Sequence, residues 1–389
     1  MTGPKWTHPT AFSHHGPEEQ EAEARVEASG RYTMGPETER FEHELATYHG
    51  RRHAIAVNSG SSANLIAATA ARLHEYPEEP RHVGPLRMTV VVPALTWATL
   101  YSPFWQLGYD FALCDADDTW NAVVPEFPEP AAPDNPFSHA DWIVACSILG
   151  NPAYLQELRH LCNSTGRTLI EDNCEALGAR TADGQLTGTF GHLATESFFY
   201  SHQASAVELG AILTDDSELD RLCRLLRNHG NAGWGETDFD RLYDFRVFGY
   251  NLRPIERHCA LAGAQLRKLD ALVAARRANA DYFRAQTANL LAITHPRLTS
   301  PHSSPFGLAF RLETADQRRR LVANLREQGI DARPPTGGSF TRHPYGLPWA
   351  DQPTPAADLI HDTGLFLGNP PWPAEEMIDR IVKVLRDTL

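Results

Sequence analysis

The sequence predicts an α/β protein with a seven-stranded, mostly parallel sheet, followed by a smaller C-terminal α+β domain. From residue 53 to about 216, short apolar segments alternate with helical patterns, and several segments are apolar throughout, as in TVVV and WIVA. Continuous apolar runs are typical of strands buried on both faces of a parallel sheet. Alternation of such strands with helices is the pattern of an α/β fold.

Seven segments in this region are predicted as strands, because each is a short apolar run that ends in small or polar residues. They are HAIAVNS (53–59), MTVVVPAL (88–95), DFALCDAD (110–117), DWIVACSILG (141–150), RTLIEDN (167–173), LATESFFY (193–200) and GAILTDD (210–216). Helical patterns such as NLIAATAARLHEY and AYLQELRHLCNSTG separate them. The proline-rich stretches 76–85 and 125–136 are predicted as surface loops.

After residue 216 the pattern becomes helical, and a Gly- and Asp-rich loop at 230–240 precedes one long amphipathic helix predicted around 254–286. From about residue 290, short apolar segments and helical patterns predict the small α+β domain: LAITHP, FGLAFRL, DQRRRLVANLREQGI and PAEEMIDRIVKVLRDTL. We therefore predict a large domain at 1–255, with an N-terminal helical segment, and a second unit at 256–389 that includes the connecting helix.

Composition excludes several classes of protein. A formal net charge of -14 argues against a nucleic-acid-binding protein, since phosphate backbones require a basic face. No apolar run approaches the ~18 residues of a membrane span, and the opening MTGPKWTHP lacks the apolar core of a signal peptide. We therefore expect a cytoplasmic protein. The six cysteines contain no C-x-x-C pair, which favours reduced thiols over disulfides or a metal site.

Three motifs follow predicted strands, at the carboxyl ends where α/β sheets bind ligands. The turn 60–64 (GSSAN) opens a helix whose N–H groups and dipole suit a phosphate, although an ordinary βα turn has the same pattern. The segment 170–175 (IEDNCE) contains Asp172, which could keep a heterocyclic nitrogen protonated or belong to a solvated strand end. The segment 197–203 (SFFYSHQ) supplies a reactive side chain. Together these features describe a site for pyridoxal phosphate (PLP).

The order of SGSSAN, VPALTWAT, IEDNCEALGA, SFFYSHQASAVELG and GYNLRP resembles the DegT/StrS-type sugar aminotransferase family, whose members are PLP-dependent transferases of fold type I. The resemblance covers nearly the whole chain. It implies that Gly60, Ser61 and Ser197 hold the cofactor phosphate and that Asp172 pairs with the ring nitrogen. It also implies that Trp97 stacks on the pyridine ring, although a plain core aromatic is the alternative for this residue.

The resemblance also implies a homodimer with shared active sites, since Asn251 would reach the cofactor phosphate of the neighbouring subunit. The phosphates of a nucleotide-linked substrate need cationic partners, and arginine forks suit diphosphates. Arg333 and Arg342 in ARPPTGGSFTRHPY are the candidates from the C-terminal domain, and Arg253 is similarly placed at the expected subunit boundary. Ordinary surface arginines are the alternative in an arginine-rich chain.

The chain departs from this family at the reactive position. The aminotransferases carry their Schiff-base lysine in S-F-x-x-x-K, where this sequence has His202. The other candidates are Lys5 near the N-terminus and Lys268 and Lys383 in helical patterns, and none is expected to substitute. Imidazole cannot provide the covalent anchor, but it moves protons near neutral pH. We therefore expect a noncovalently held cofactor with His202 as the acid–base.

This substitution resembles a branch of the family, the NDP-4-keto-6-deoxyhexose 3-dehydratases of the GDP-4-keto-6-deoxymannose type. Their stretch S-F-F-x-S-H-H-x-S-T-x-E-G-G is similar to SFFYSHQASAVELG. Glu175 also matches this branch, because the aminotransferases usually carry Gln at this place in D-x-x-[QE]. Gln203 and Leu209 depart from the pattern, so another nucleotide sugar or a sugar nucleoside stays open as the substrate.

The branch includes iron–sulfur enzymes and metal-free enzymes. The cysteine-rich stretch of the first style would follow RNHG, where this chain reads NAGWG, so we expect the metal-free style with L-glutamate as the source of electrons. In that reaction glutamate converts PLP to pyridoxamine phosphate (PMP), which condenses with the 4-keto group of the sugar. His202 and Glu175 would then be the catalytic residues for loss of the C3 hydroxyl. The products are a 3-deoxy-4-keto sugar and ammonia.

Two other functions stay open at this point. The first is a PLP-dependent aminotransferase-like enzyme that manages without the lysine. The second is a non-catalytic PLP-binding homologue, retained for regulation or as a subunit partner.

Overall fold

The computed structural model describes residues 6–12, 14–77, 88–124 and 135–389. Each segment predicted as a strand of the large sheet contains one: β1 (His53–Val57), β2 (Thr89–Pro93), β3 (Asp110–Cys114), β4 (Trp142–Cys146), β5 (Thr168–Asp172), β6 (Leu193–Ser197) and β7 (Gly210–Thr214). The helices up to residue 227 are α1 (Pro17–Ser29), α2 (Pro36–His49), α3 (Gly60–Glu75), α4 (Tyr101–Gln106), α5 (Leu155–Thr165) and α6 (Ser217–Arg227). The proline-rich stretches predicted as loops lie almost entirely outside the described residues.

The large sheet has the strand order β1-β7-β6-β5-β4-β2-β3. The pairs from β6 to β3 are parallel, whereas β7 is antiparallel to both β1 and β6. Two successive antiparallel pairs give β1 the same direction as β5 and β6. The carboxyl ends of β1, β5 and β6 therefore lie at one edge of the sheet, and the predicted mostly parallel α/β architecture is confirmed.

Both faces of this sheet are covered, which explains why several of its strands are apolar throughout. Ile55 and Val57 of β1 lie in one buried cluster with Ile66 of α3. Ala54, from the same strand, lies in a second cluster on the opposite face with Phe41 of α2. Alternate side chains of β1 thus point to opposite faces, as the pleat of a strand requires.

The C-terminal part contains a three-stranded antiparallel sheet in the described residues, with the order β8-β10-β9. Its strands are β8 (Gly307–Arg311), β9 (Ala332–Arg333) and β10 (Gly364–Gly368), and its helices are α9 (Ala315–Glu327), α10 (Pro355–Thr363) and α11 (Glu375–Thr388). The sheet, α9 and α11 share one apolar core that includes Phe310, Leu325 and Ile381. An α+β arrangement was expected here, and the division at residues 255 and 256 stays a prediction.

The predicted helix at 254–286 is wrong in one respect, because the structure has two helices, α7 (Glu256–Leu266) and α8 (Leu269–Thr287). Lys268 leaves the helical region with φ -113° and ψ 7°. Ala260 of α7 packs against Ala22 of α1, whereas Phe283 of α8 lies in the core of the C-terminal part. The break lets α7 pack against α1 and α8 pack against the C-terminal core. The apolar periodicity of the sequence continues across the break.

No helix in the described residues has both the length and the hydropathy that a bilayer crossing requires.

Candidate active site

The first turn of α3 lies against the end of β6. Ser59 caps the helix by accepting a hydrogen bond from the Ser62 N–H at 3.2 Å. A Cβ atom on Gly60 would lie 2.8 Å from the Ser197 Cβ and 2.9 Å from the Cys174 Sγ, so glycine permits this close approach. The structure therefore brings Gly60 and Ser197 together at a helix N-terminus, where exposed N–H groups and the helix dipole favour an anion.

Asp172 is buried at the carboxyl end of β5. Its Oδ2 accepts a hydrogen bond from Asn64 Nδ2 at 2.9 Å, and its Oδ1 accepts one from the Cys174 N–H at 3.0 Å. Burial raises the pKa of this carboxyl, although both hydrogen bonds oppose that shift. A buried carboxylate in such a position is stabilised by a cationic partner.

His202 lies in the loop after β6, which we call the His202 loop (residues 198–206). Its imidazole packs against the rings of Phe306 and Phe199, at centroid distances of 5.0 and 5.7 Å. Burial lowers the pKa of His202 to about 4, and the main chain of Ser197 and Cys174 opposes this shift. The Nδ1 atom is buried and has no hydrogen-bond partner among the described residues. The imidazole is therefore neutral at pH 7 and beside the Gly60–Ser197 contact.

Glu175 lies in the turn after β5, close to the same loop. Its Oε2 accepts a hydrogen bond from the Leu149 N–H at 2.8 Å, and Leu149 has a φ of 49°, which is rare for a leucine. Burial raises the pKa of Glu175 to about 8. The side chain is thus protonated at neutral pH and offers a hydrogen-bond donor, as a glutamine would.

Trp97 and Ser61 lie at the rim of this region. The Trp97 side chain is 55% exposed, so it is not a core aromatic in this chain. The Ser61 and Thr99 hydroxyls share a hydrogen bond at 2.7 Å, which links α3 to the residues that follow Trp97. A Cβ atom on Gly337 would lie 3.2 Å from the Trp97 Cα, so the C-terminal part contacts the rim here.

Asn251 and Arg253 lie after the 230–250 loop. Asn251 is exposed and forms a β-bridge with Asn228. Arg253 Nη1 donates a hydrogen bond to Asn228 Oδ1 at 2.7 Å and lies within the same distance of His229 Nε2. Large side chains are exposed along the preceding loop: Trp234, Phe239, Tyr243, Phe245 and Phe248.

Arg333 and Arg342, the two other candidate phosphate ligands, already have carboxylate partners. Arg333 Nε lies 3.1 Å from Asp331 Oδ2. Arg342 Nε lies 3.3 Å from Asp358 Oδ1, and its Nη2 pairs with Asp362. Among the described residues, neither arginine forms a hydrogen bond or an ion pair with the His202 loop, and phosphate binding would require an exchange of partners.

Neither lysine of the described residues forms a hydrogen bond or an ion pair with the His202 loop. Lys268 Nζ pairs with Glu19 Oε1 at 2.7 Å, and Lys383 is exposed on α11. Lys5 lies outside the described residues. The described residues contain no group of three or more His, Cys, Asp or Glu side chains arranged for a metal ion, and all six cysteines are free thiols.

Sequence reasoning gave no role to two residues that support this site. Asn64 holds Asp172, and the Thr195 hydroxyl donates a hydrogen bond to Asn64 Oδ1 at 2.7 Å. Arg276 donates hydrogen bonds to the main chain of the His202 loop. It lies on the buried stripe of α8 with Leu269, Leu272 and Val273. An arginine in phase with that apolar stripe is the signal by which it could have been found.

The sequence and the fold of this chain are similar to those of known proteins. The model of the DegT/DnrJ/EryC1/StrS aminotransferase family matches residues 14–386. The chain is 32% identical over 377 residues to the GDP-4-keto-6-deoxy-D-mannose 3-dehydratase of Escherichia coli O55:H7, covering 91% of this chain and 93% of that protein. It is 32% identical over 402 residues to the dTDP-4-dehydro-2,6-dideoxy-D-glucose 3-dehydratase of Saccharopolyspora spinosa, covering 95% and 84%.

A solved structure extends the similarity to the fold. A crystal structure of GDP-4-keto-6-deoxymannose-3-dehydratase with a trapped PLP–glutamate geminal diamine has a TM-score of 0.87 and 29% sequence identity to this chain. The match covers 97% of this chain and 100% of that one.

Proposed function

The chain belongs to the DegT/DnrJ/EryC1/StrS aminotransferase family, and we propose that it removes the C3 hydroxyl group of a nucleotide-linked 4-keto-6-deoxy sugar. PLP is the cofactor, held without a covalent bond, and L-glutamate is the amino donor. The observation that carries this proposal is His202, which stands in the sequence position of the family's lysine and has a neutral imidazole beside Ser197 and Cys174. The 3-dehydratase names of the similar proteins support it.

The residues of this chain fit PLP. The α3 N-terminus, which Gly60 lets approach Ser197, offers N–H groups and a hydroxyl to the cofactor phosphate. Asp172 is buried, and burial raises the pKa of its carboxyl. A protonated ring nitrogen of the cofactor would be the cationic partner that stabilises the ionised carboxylate. The exposed Trp97 ring is available for stacking on the pyridine. When bound, PLP supplies an electron sink and a carbonyl or amine that exchanges with glutamate and with the keto sugar.

His202 moves the protons. Because burial lowers its pKa to about 4, the imidazole is the base form at pH 7 and accepts a proton at a ring nitrogen. The same imidazole, once protonated, donates to the departing C3 oxygen of the sugar. A positioned acid–base side chain contributes roughly 10²–10⁴-fold to rate. The rings of Phe199 and Phe306 pack against this imidazole.

Glu175 completes this side of the site. As a protonated carboxyl it acts as a hydrogen-bond donor toward the cofactor, and the Leu149 N–H fixes its other oxygen. Gln203, the departure from the branch pattern, donates from Nε2 to the Glu175 carbonyl at 2.6 Å and to the Ser304 carbonyl at 2.7 Å. Leu209, the other departure, is fully buried in the core beside the sheet. Gln203 therefore ties main-chain segments together and Leu209 packs in the core. Neither substitution removes a side chain that is proposed to react.

The substrate is a nucleotide sugar or a related sugar nucleoside. The similar dehydratases are named for a GDP sugar and a dTDP sugar, so the proposal includes both bases. Arg333, Arg342 and Arg253 are the proposed ligands of the substrate phosphates, and Arg333 and Arg342 must leave their aspartates to bind them.

We also propose a homodimer in which Asn251 completes the site of the neighbouring subunit. Asn251 is exposed in the single chain. The exposed aromatic side chains at 234–248 precede it, and clustered exposed aromatics are typical of an interface.

Incubation with PLP, L-glutamate and a panel of GDP- and dTDP-linked 4-keto-6-deoxy sugars tests the proposed function. Mass spectrometry is expected to show a sugar that has lost one oxygen atom, and 2-oxoglutarate is formed with it. A sugar that gains an amino group would support the aminotransferase alternative. Failure of glutamate to change the absorbance of bound PLP would support the non-catalytic alternative.

A further inference from the structure

Arg276 on α8 is a buried guanidinium that binds main-chain carbonyls from three separate segments. Its Nη1 donates to the carbonyl of His202 at 3.0 Å and to that of Gln203 at 2.9 Å. Its Nε donates to the Asn369 carbonyl at 3.0 Å, and its Nη2 donates to the Phe12 carbonyl at 3.4 Å. One side chain therefore joins the His202 loop to an N-terminal segment and to the segment after β10.

Among the described residues, no acidic side chain pairs with the positive charge of Arg276. Its residue is 1% exposed, and no ion pair within the described part of the chain includes it. Burial lowers the pKa of Arg276 to about 10, which leaves the side chain protonated at pH 7. A buried charge without a partner is costly. Neutral amides can also link separate segments by hydrogen bonds, since Asn369 Nδ2 donates to the Arg276 carbonyl at 2.8 Å. We therefore ask what the positive charge of Arg276 contributes beyond these links.

The groups around His202 indicate what this charge contributes. Arg276 binds the His202 main-chain carbonyl from α8, and at this short range its charge disfavours a second positive charge on the imidazole. The main chain of Ser197 and Cys174 faces the imidazole from β6 and from the turn after β5. The acids of that turn are engaged by other groups, since Asp172 binds Asn64 and the Cys174 N–H, and Glu175 binds the Leu149 N–H. The Cys174 thiol is buried, which raises its pKa.

We propose that Arg276 is the positioning residue of His202: it fixes the main chain of the His202 loop and opposes a positive charge on the imidazole. This inference rests on the proposed function, because Arg276 matters for catalysis only if His202 is the base. Its effect on His202 is a property of the protein itself and is measurable without cofactor.

The test compares Arg276→Met, which removes the charge and the hydrogen bonds, with Arg276→Lys, which keeps the charge but loses the planar fork. Arg277→Met is the matched control, because Arg277 is the next residue of α8 and donates instead to the Ser303 carbonyl at 2.9 Å. Each full-length protein, labelled at the histidine Cε1 carbon, is titrated by NMR without PLP. The signal that disappears in His202→Asn identifies His202.

In the wild type and in Arg277→Met, the His202 signal is expected to titrate near pH 4. In Arg276→Met the midpoint should rise toward the ordinary histidine value but stay below it, because burial, the largest cause of the low pKa, remains. In Arg276→Lys it should stay low, because the charge remains. An unchanged midpoint in a folded Arg276→Met protein would overturn the electrostatic part of the proposal.

The second readout is the rate at which glutamate converts bound PLP to PMP, followed by absorbance across pH. Arg276→Lys should slow this step by about tenfold without moving the acid limb of the profile, because an ammonium cannot hold both loop carbonyls as the fork does. Arg276→Met should slow it and shift the acid limb to higher pH. If Arg276→Met does not fold, Arg276→Lys decides alone, and a rate equal to that of Arg277→Met at every pH would overturn the positioning role.

These outcomes separate the inference from the proposed function. If the wild type does not convert PLP to PMP, the proposed function fails while the NMR titration still reports on Arg276. If the wild type converts PLP and the Arg276 variants match it in both readouts, the inference fails and the proposed function stands.

Discussion

Asn64 Nδ2, in the second turn of α3, donates a hydrogen bond to Asp172 Oδ2 at 2.9 Å. The contact joins the helix that begins at the proposed phosphate site to the carboxyl proposed for the ring nitrogen. The Thr195 hydroxyl fixes the Asn64 amide in the required orientation by donating to its oxygen. The two ends of the cofactor are thus expected to be held by one rigid unit.

Asn64→Leu should weaken PLP binding by roughly 10–100-fold, since a hydrogen bond to a charged group contributes about 1.5–3 kcal/mol. Thr195→Val should have a smaller effect, because Asn64 stays present but loses the group that orients it. The dissociation constant is measured by titrating each protein with PLP and following absorbance. PLP binding by Asn64→Leu that is as tight as in the wild type would contradict the assignment of Asp172 to the cofactor.

His202→Lys should join PLP to the protein. A lysine at this position supplies the amine that the family's aminotransferases use, so the variant is expected to turn yellow with PLP and to retain the cofactor after borohydride treatment. Mass spectrometry of the intact protein detects the added cofactor. The wild type, treated in the same way, should show no adduct. An adduct on the wild type at Lys5, Lys268 or Lys383 would show that the lysine function has moved and not been lost.

Glu175→Gln should change how stability depends on pH. The folded-state pKa of Glu175 is about 8, above its ordinary value, so its contribution to stability is present at low pH and is lost as the pH rises through 8. The glutamine cannot ionise, and the variant should therefore gain in melting temperature relative to the wild type as the pH rises from about 5 to about 8, with no further gain above that.

The control for this experiment is Glu208→Gln, an exposed carboxyl close to the His202 loop. It should show the same pH dependence as the wild type. Parallel curves for Glu175→Gln and the wild type, in protein free of PLP, would mean that Glu175 is already ionised at neutral pH.

Mixed dimers test the shared active site. His202→Asn and Asn251→Asp are each expected to be inactive, but a dimer with one subunit of each kind has one site with both wild-type side chains. Unfolding and refolding equal amounts together should therefore restore about a quarter of the wild-type activity if subunits pair at random. No recovery, with dimers demonstrated by sedimentation, would place Asn251 in the site of its own chain, and an active Asn251→Asp protein would place it outside any site.

The seven strands of the large sheet could be predicted from the sequence because burial on both faces gives each one a short run of mostly apolar or small residues. The region of the site followed from the same logic, since Gly60, Asp172 and Ser197 lie where strands end and small or polar residues begin. The spacing of apolar residues does not show where a helix axis changes direction, however. The break at Lys268 was missed because apolar residues continue on both sides of it.

Long-range partners were beyond the reach of sequence reasoning. Arg276 and Arg277 are adjacent and identical in type, and only the phase of α8 places Arg276 among carbonyls from three distant segments. Arg333 has a carboxylate partner two residues away, but Arg342 is paired with acids of α10, which no local pattern reveals. The His202 substitution could be read directly, because it replaces one residue in a motif whose other members are present.

The ratio of ammonia to 2-oxoglutarate tests the central claim most directly. The purified protein is supplied with PLP, L-glutamate and the 4-keto sugar that it converts fastest, and both products are quantified over the same interval. Deoxygenation releases the nitrogen of glutamate, so the account predicts one ammonia for each 2-oxoglutarate. Formation of 2-oxoglutarate without ammonia, with the nitrogen recovered in the sugar, would contradict it.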